Sequence, residues 1–134
     1  MELSKTSIAK LKGVHPDLVR VVKRAAQMRN DDPGFVITCG PRTLKEQKEL
    51  LKAGATTTLK SRHIPGKNGF AHAVDLAATV GGKIRWDWPL YHILAATMKA
   101  AAKEEKVPLE WGGDWKSFKD GPHFQLPWDK YPGN

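Results

Sequence analysis

An acid set inside an apolar run constrains this chain more than any other feature. Residues 71–78 read Ala-His-Ala-Val-Asp-Leu-Ala-Ala, with Asp75 between Val74 and Leu76. Side chains of a strand alternate between faces, so Asp75 points away from Val74 and Leu76. It shares its face with Ala73 and Ala77, two small residues that leave space around a carboxylate. The arrangement fits the floor of a site. Imidazoles flank it in sequence: Ser61-Arg62-His63 precedes the run, and Asp120-Gly121-Pro122-His123 lies far downstream.

The rest of the chain frames that strand. Residues 1–14 read as a basic, loosely structured lead-in. His15-Pro16-Asp17 opens a helix, because proline suits the first helical position, and His15 reads as structural. Leu18, Val21, Val22, Ala25 and Met28 follow at helical spacing. Arg20, Lys23 and Arg24 fall on its solvated faces. The turn residues at 30–34 end the helix, and Phe35 to Cys39 predicts a strand. Thr43 and Glu46 match a capping box. Leu44, Leu50 and Leu51 predict the buried side of the helix it opens, and Gly54 is a natural stop. Arg42 then stands at a strand-to-helix corner, where it can overlook a cleft or form a surface salt bridge. Residues 55–70 read as loop.

Gly81-Gly82 marks a hairpin-like turn. Asp87 is the expected cap of the longest helix, which runs to about Lys106 with Leu90, Ile93, Leu94, Thr97, Met98 and Ala101 as its stripe. His92 sits off the stripe, as a surface histidine would. Leu109-Glu110-Trp111 and His123 to Leu126 predict short strands joined through a turn at Gly112-Gly113-Asp114-Trp115. The second strand carries His123 and Gln125 on one face and Phe124 and Leu126 on the other. The tail from Pro127 reads as surface wrapping. The order predicts an α+β fold, a small antiparallel sheet flanked by helices, over a single domain at 1–134.

Composition narrows the chemistry. The chain has one cysteine among 134 residues, so no intrachain disulfide forms and a Cys-rich zinc knuckle is excluded. Cys39 follows an apolar run and reads as a buried, inert thiol. Any metal falls to histidine and carboxylate. The formal charge of +8 attracts polyanions: nucleic acid, anionic membranes or wall polymers. Charge alone does not choose among them, but no basic motif or basic-aromatic platform marks a nucleic-acid binder. No apolar run reaches the ~18 residues of a membrane span. Met1 to Lys5 lacks the apolar segment of a secretory signal, which predicts synthesis and retention in a cytoplasm.

His63, Asp75 and His123 would make a three-ligand zinc site with an open fourth position, the pattern of a catalytic zinc. On this reading His63 and His123 come from edges of the sheet and Asp75 from its middle. Asp120, three residues before His123 across a Gly-Pro turn, is then free to act as general base. Arg42 could hold a substrate carboxylate or an oxyanion. Spacing also allows the plainer alternative, in which His123 is a satisfied core histidine and Ser61 caps a turn.

Ser61-Arg62-His63, with Ala73-Val74-Asp75 after a loop, resembles the first signature of the VanX/VanY-type zinc peptidases. Asp120-Gly121-Pro122-His123 resembles the second. Gly40-Pro41-Arg42-Thr43 with Gln47 is similar to that family's arginine segment, and Trp111 to Trp115 to the turn before the second signature. The matches run from about Gly40 to Leu126 in family order. Size and the opening helix look most like the phage endolysin branch, the L-alanyl-D-glutamate endopeptidases.

The resemblance implies an LAS-type, Hedgehog-like peptidase fold with one zinc per chain on His63, Asp75 and His123. It implies Asp120 as catalytic base, substrate contacts from Arg42, Gln47 and Ser61, and a peptidoglycan stem peptide as substrate. A monomer without specific nucleic-acid contacts would wait in the host cytoplasm. It would reach the periplasm and wall once a separate membrane protein releases it, helped by electrostatic contact with anionic envelope surfaces. A bacterial D,D-carboxypeptidase, or a non-catalytic wall-binding module of the same fold, is the alternative. The chain departs from the signature by extra residues around Pro65 to Gly69. This insertion makes His72 a reserve ligand. Many relatives also carry Glu where this chain has Asp120.

Overall fold

A computed structural model describes residues 1–56 and 61–132 of the chain. Among the described residues the α-helices are α1 (Lys5–Lys10), α2 (Pro16–Met28), α3 (Leu44–Lys52) and α4 (Trp88–Glu105). The strands among them are β1 (Gly34–Cys39), β2 (Ala73–Val80), β3 (Lys83–Arg85), β4 (Glu110–Trp111) and β5 (His123–Gln125). They form one antiparallel sheet in the order β1-β2-β5-β4, with β3 paired to the far end of β2. This is the α+β architecture the sequence predicts.

Strand alternation divides the sheet between core and site. Val74, Leu76 and Ala78 face the core with Phe35 and Ile37 of β1 and Phe124 of β5. The apolar stripes of α2 and α4 meet there, Leu18, Val21 and Val22 from one and Leu94 and Met98 from the other. Burying side chains of this kind contributes about 1.5–3 kcal/mol each. Asp75 belongs to the other face.

Several elements differ from the sequence reading. The lead-in is helical from Lys5, because Ser4 caps the backbone N–H of Ser7 at 3.1 Å. Ser7 is buried and its hydroxyl accepts the N–H of Ile37 at 2.9 Å. That bond satisfies a donor on the outer edge of β1. Arg20 and Arg24 are not idle on their faces: they pair with Glu105 and Glu104 of α4.

Helix α3 begins with the expected capping box. Its leucines do not form its buried side, however, and Leu44 is 48% exposed. The residue it buries is Gln47, 1% exposed, which faces the cleft described below. In α4 the buried stripe is Tyr91, Leu94, Ala95, Met98, Ala101 and Ala102. Ile93 is exposed. Tyr91 takes its place inside because its hydroxyl has two partners, accepting from Ala78 N–H and donating to Arg85 carbonyl. Asp87 stands at the N-cap but makes no cap bond, being engaged by Arg85.

The β2–β3 turn at Gly81 and Gly82 has positive φ at both residues, as a two-residue hairpin turn requires. The tail folds back as expected. Tyr131 hydrogen-bonds Asp17, and Trp128 lies over the guanidinium of Arg62. The part of the predicted loop at 57–60 and the last two tail residues lie outside the described residues.

Candidate active site and metal centre

Strand register assembles the centre of the site. Asp75 lies opposite His123 of β5 on one side. On the other it lies opposite Cys39 of β1, after a register shift between Ile37 and Cys39. The irregularity brings Cys39 into line, so Cys39, Asp75 and His123 form one row across the sheet. His123 therefore comes from an inner strand and not from a sheet edge, because β4 pairs beyond β5.

His63 comes from a turn and not from a strand. Ser61 Oγ accepts the N–H of His63 at 3.1 Å and shapes that turn. His72 N–H donates to Arg62 carbonyl at 2.7 Å and closes the base of the loop. The extra residues between them bond mainly to one another, as in Gly66 N–H to Phe70 carbonyl. A loop closed at its base tolerates added length. His63 thus reaches Asp75 despite the longer interval.

Both imidazoles converge on one carboxylate oxygen. Asp75 Oδ1 is 3.2 Å from His63 Nε2 and 3.1 Å from His123 Nδ1. Each ring uses its other nitrogen elsewhere. His63 Nδ1 is 2.8 Å from Gly40 carbonyl, and His123 Nε2 is 2.7 Å from Gln125 Oε1. Such outer bonds fix which nitrogen faces inward. The ligand atoms of Asp75, Asp120 and His123 lie close enough together to hold a metal ion, and so do those of Cys39, His63 and Asp75.

His72, the reserve ligand, belongs to neither group. It packs instead against His15, with ring centroids 5.4 Å apart, and meets Asn68 at 3.1 Å. Cys39 is half-buried rather than the buried, inert thiol of the sequence reading. Its sulfur is 3.6 Å from His63 Nδ1 and 3.5 Å from Arg42 Nη2.

The charges are strongly coupled. Burial alone would raise Asp75, but hydrogen bonds from His123 and His63 outweigh it and hold the carboxyl below the usual range. Burial would lower His63, yet Asp75 and Cys39 raise it to about 10. A cation in the site would take the place of that proton. Asp120 behaves oppositely to Asp75. Burial and the Asp75 charge raise it, and the nearby cationic groups only partly compensate. Two carboxyls held apart in this way are suited to different roles.

Tight backbone contacts fix Asp120. Its N–H donates to Gly112 carbonyl at 3.0 Å, and its carbonyl accepts His123 N–H at 3.2 Å. A Cβ at position 112 would stand 2.4 Å from Asp120 carbonyl oxygen, so glycine is required there. Trp111 Nε1–H holds Gly121 carbonyl at 2.7 Å.

The site opens into a cleft of about 930 Å³. Arg42, Gln47, Ser61, His63, Asp75, Asp120 and His123 all line it, whereas the reserve ligand His72 does not. Arg42 donates to Gln47 Oε1 at 2.7 Å and lies 3.9 Å from Asp75 Oδ2. Sequence reasoning missed Trp115 and Phe118 on the same walls. Trp115 packs near His123, with centroids 5.2 Å apart. The sequence reading places Trp115 only in a turn, and a segment with no apolar period does not show that either ring faces the cleft.

A family model, phage L-alanyl-D-glutamate peptidase, matches residues 1–126. The chain belongs to this family. It is 33% identical over 90 residues to an L-alanyl-D-glutamate peptidase of Listeria phage A118, across 67% of this chain but only 29% of that protein. It is 32% identical over 126 residues to the peptidoglycan L-alanyl-D-glutamate endopeptidase CwlK of Bacillus subtilis (strain 168), covering 84% of this chain and 75% of CwlK. The crystal structure of the L-Ala D-Glu endopeptidase ChiX of Serratia marcescens superposes with a TM-score of 0.87 at 40% identity, covering 99% of this chain and 95% of ChiX. The D,D-dipeptidase VanXYg shares the fold at 18% identity and a TM-score of 0.50, over 84% of this chain and 50% of VanXYg. Among the described residues no helix of this peptidase-family chain is long and apolar enough to cross a membrane.

Proposed function

We propose that this chain is a zinc-dependent endopeptidase that cuts the L-alanyl-D-glutamate bond of peptidoglycan stems and serves phage lysis. One observation carries the reading. His63 Nε2 and His123 Nδ1 converge on a single oxygen of Asp75, while His63 Nδ1 meets Gly40 carbonyl and His123 Nε2 meets Gln125 Oε1. Two imidazoles and a carboxylate suit zinc, and the outer bonds suit metal-binding histidines. On this reading His63, Asp75 and His123 hold one zinc. When bound, zinc supplies a Lewis acid that polarises a carbonyl and acidifies water.

The chain's own residues do the rest. Asp120 takes the proton of the attacking water and returns it to the leaving amide nitrogen. Its raised pKa makes it a stronger base for the first half of that exchange. Arg42, braced by Gln47, offers a guanidinium to a stem carboxylate or to the developing oxyanion. Ser61 holds the His63 turn while facing the same cleft.

The phage family model and the L-alanyl-D-glutamate names of three relatives support the choice of bond. In a phage setting the protein would reach the wall from inside the host after a separate membrane protein admits it. Purified peptidoglycan should be digested and the products read by mass spectrometry. New D-glutamate amino termini are expected. Release of terminal D-alanine instead would overturn the endopeptidase reading, and digestion by zinc-free protein would overturn the metal.

A further inference from the structure

Gln125 lies two residues after His123 on β5, so both side chains share the face of the site. It is 5% exposed. Strand pairing sets Glu110 of β4 opposite it. The Gln125 amide donates to Glu110 Oε2 at 2.9 Å. An ionised carboxylate only accepts, so the NH₂ end of the amide must face Glu110 and its oxygen must face His123. That oxygen is 2.7 Å from His123 Nε2. An amide oxygen also only accepts, so Nε2 must carry a proton. An imidazole that ligates a metal is neutral and holds one proton, so with Nε2 carrying it the lone pair on Nδ1 is left for the metal. Nδ1 is the nitrogen that faces Asp75.

We infer that Gln125 and Glu110 are positioning residues that hold His123 in its metal-binding tautomer. The inference rests on the metal site proposed above and adds a relay to it. The two histidines are fixed by different means. His63 leans on the backbone carbonyl of Gly40, which no side-chain substitution deletes. His123 leans on a side chain, supported by a second one on the neighbouring strand. Without them the imidazole can carry its proton on Nδ1 and donate to Asp75, and that proton must leave before a metal binds.

The rival explanation is that Gln125 and Glu110 merely tie β4 to β5. Zinc affinity of the metal-free protein, measured by competition with a chelator, separates the two, with melting temperature of the metal-free protein read alongside. Gln125→Leu is expected to weaken zinc binding by about 10–100-fold, the range for losing an outer partner of a ligand, with little change in melting temperature. Glu110→Leu should weaken it in the same direction. Glu110→Gln should stay close to wild type, because its amide oxygen can still accept from Gln125. Unchanged affinity in Gln125→Leu, with or without a lower melting temperature, overturns the relay. If Gln125→Leu does not fold, equal affinities for Glu110→Leu and Glu110→Gln overturn it. His123→Ala is the control: if it binds zinc like wild type, the ligand assignment fails and the relay with it. If it loses zinc while Gln125→Leu keeps it, only the relay fails.

Discussion

Two residues that share a cleft with the proposed metal ligands make separable predictions. Asp120 is raised by burial and by Asp75, while its backbone is pinned to Gly112. Asp120→Asn keeps the size and removes the base. It is expected to keep zinc at wild-type stoichiometry and lose on the order of 10²–10⁴ in kcat. Loss of zinc together with the rate would make Asp120 a ligand. Arg42 is expected to act on the substrate. Its fork donates to Gln47 and faces the cleft. Arg42→Lys keeps the charge but loses the planar fork. A charge-assisted hydrogen bond contributes about 1.5–3 kcal/mol, so KM should rise about tenfold or more with zinc content unchanged. Steady-state kinetics beside elemental analysis check both. An unaltered KM would return Arg42 to the role of a structural brace for Gln47.

The elements that place these residues differ in how plainly they are written in the sequence. Strand β2 was legible because Asp75 breaks an apolar alternation, and α2 because its stripe keeps one period. Helix α1 was not, since beyond its local cap at Ser4 its anchor is the hydroxyl of Ser7, whose partner, Ile37 N–H, lies across the fold. Helix α3 misled because Leu44 and Leu51 are exposed, Leu50 is only half-buried, and its buried residue is the polar Gln47. The site residues were legible one by one, but Cys39 joins their row only through a register shift that no local pattern announces. The contact between α1 and Gly40 gives a test at this scale. A Cβ at position 40 would lie 1.9 Å from Lys10 carbonyl oxygen. Gly40→Ala should cost on the order of 1–3 kcal/mol, as overpacking does. It should also weaken zinc binding, because Gly40 carbonyl is the partner of His63 Nδ1. Denaturant melts and chelator competition would show the two effects together. The packing of the inserted loop on α2 makes a pH prediction. His72 is 1% exposed. Burial, with Arg62 and His15 adding to it, lowers its pKa from 6.5 to about 4. A depressed pKa means the unfolded chain binds more protons between those values. Stability from this group is therefore whole above about pH 6.5 and lost as pH falls toward about 4. The slope is at most about 1.4 kcal/mol per pH unit for one proton. Replacing His72 by Gln should flatten the stability profile in that window, and an unchanged slope would assign the acid sensitivity to another group.

Across the whole molecule, the formal charge of +8 is the property no single element explains. Some of the cations are committed within the fold. Arg20, Arg24, Arg85 and Lys99 pair with acids on the surface. Surface pairs of this kind contribute little to stability. The net excess is expected instead to act at a distance, drawing the protein toward an anionic polymer and raising its local concentration there. Cleavage of a short soluble stem peptide depends on the cleft itself, where Arg42 and Asp75 are partly shielded from solvent. Exposed charges are screened over ~8–10 Å near physiological ionic strength, and shielded ones less. Raising salt should therefore slow digestion of intact walls more than hydrolysis of the soluble peptide. The comparison needs the same preparation and pH, with zinc content measured at each salt concentration so that metal loss is not mistaken for screening. Exchanging exposed lysines far from the cleft, such as Lys83 and Lys103, for glutamine should imitate the effect of salt on walls and leave the peptide rate alone. Equal salt sensitivity on the two substrates would place the electrostatic effect inside the cleft, with Arg42, and would remove the net charge from any part in reaching the wall.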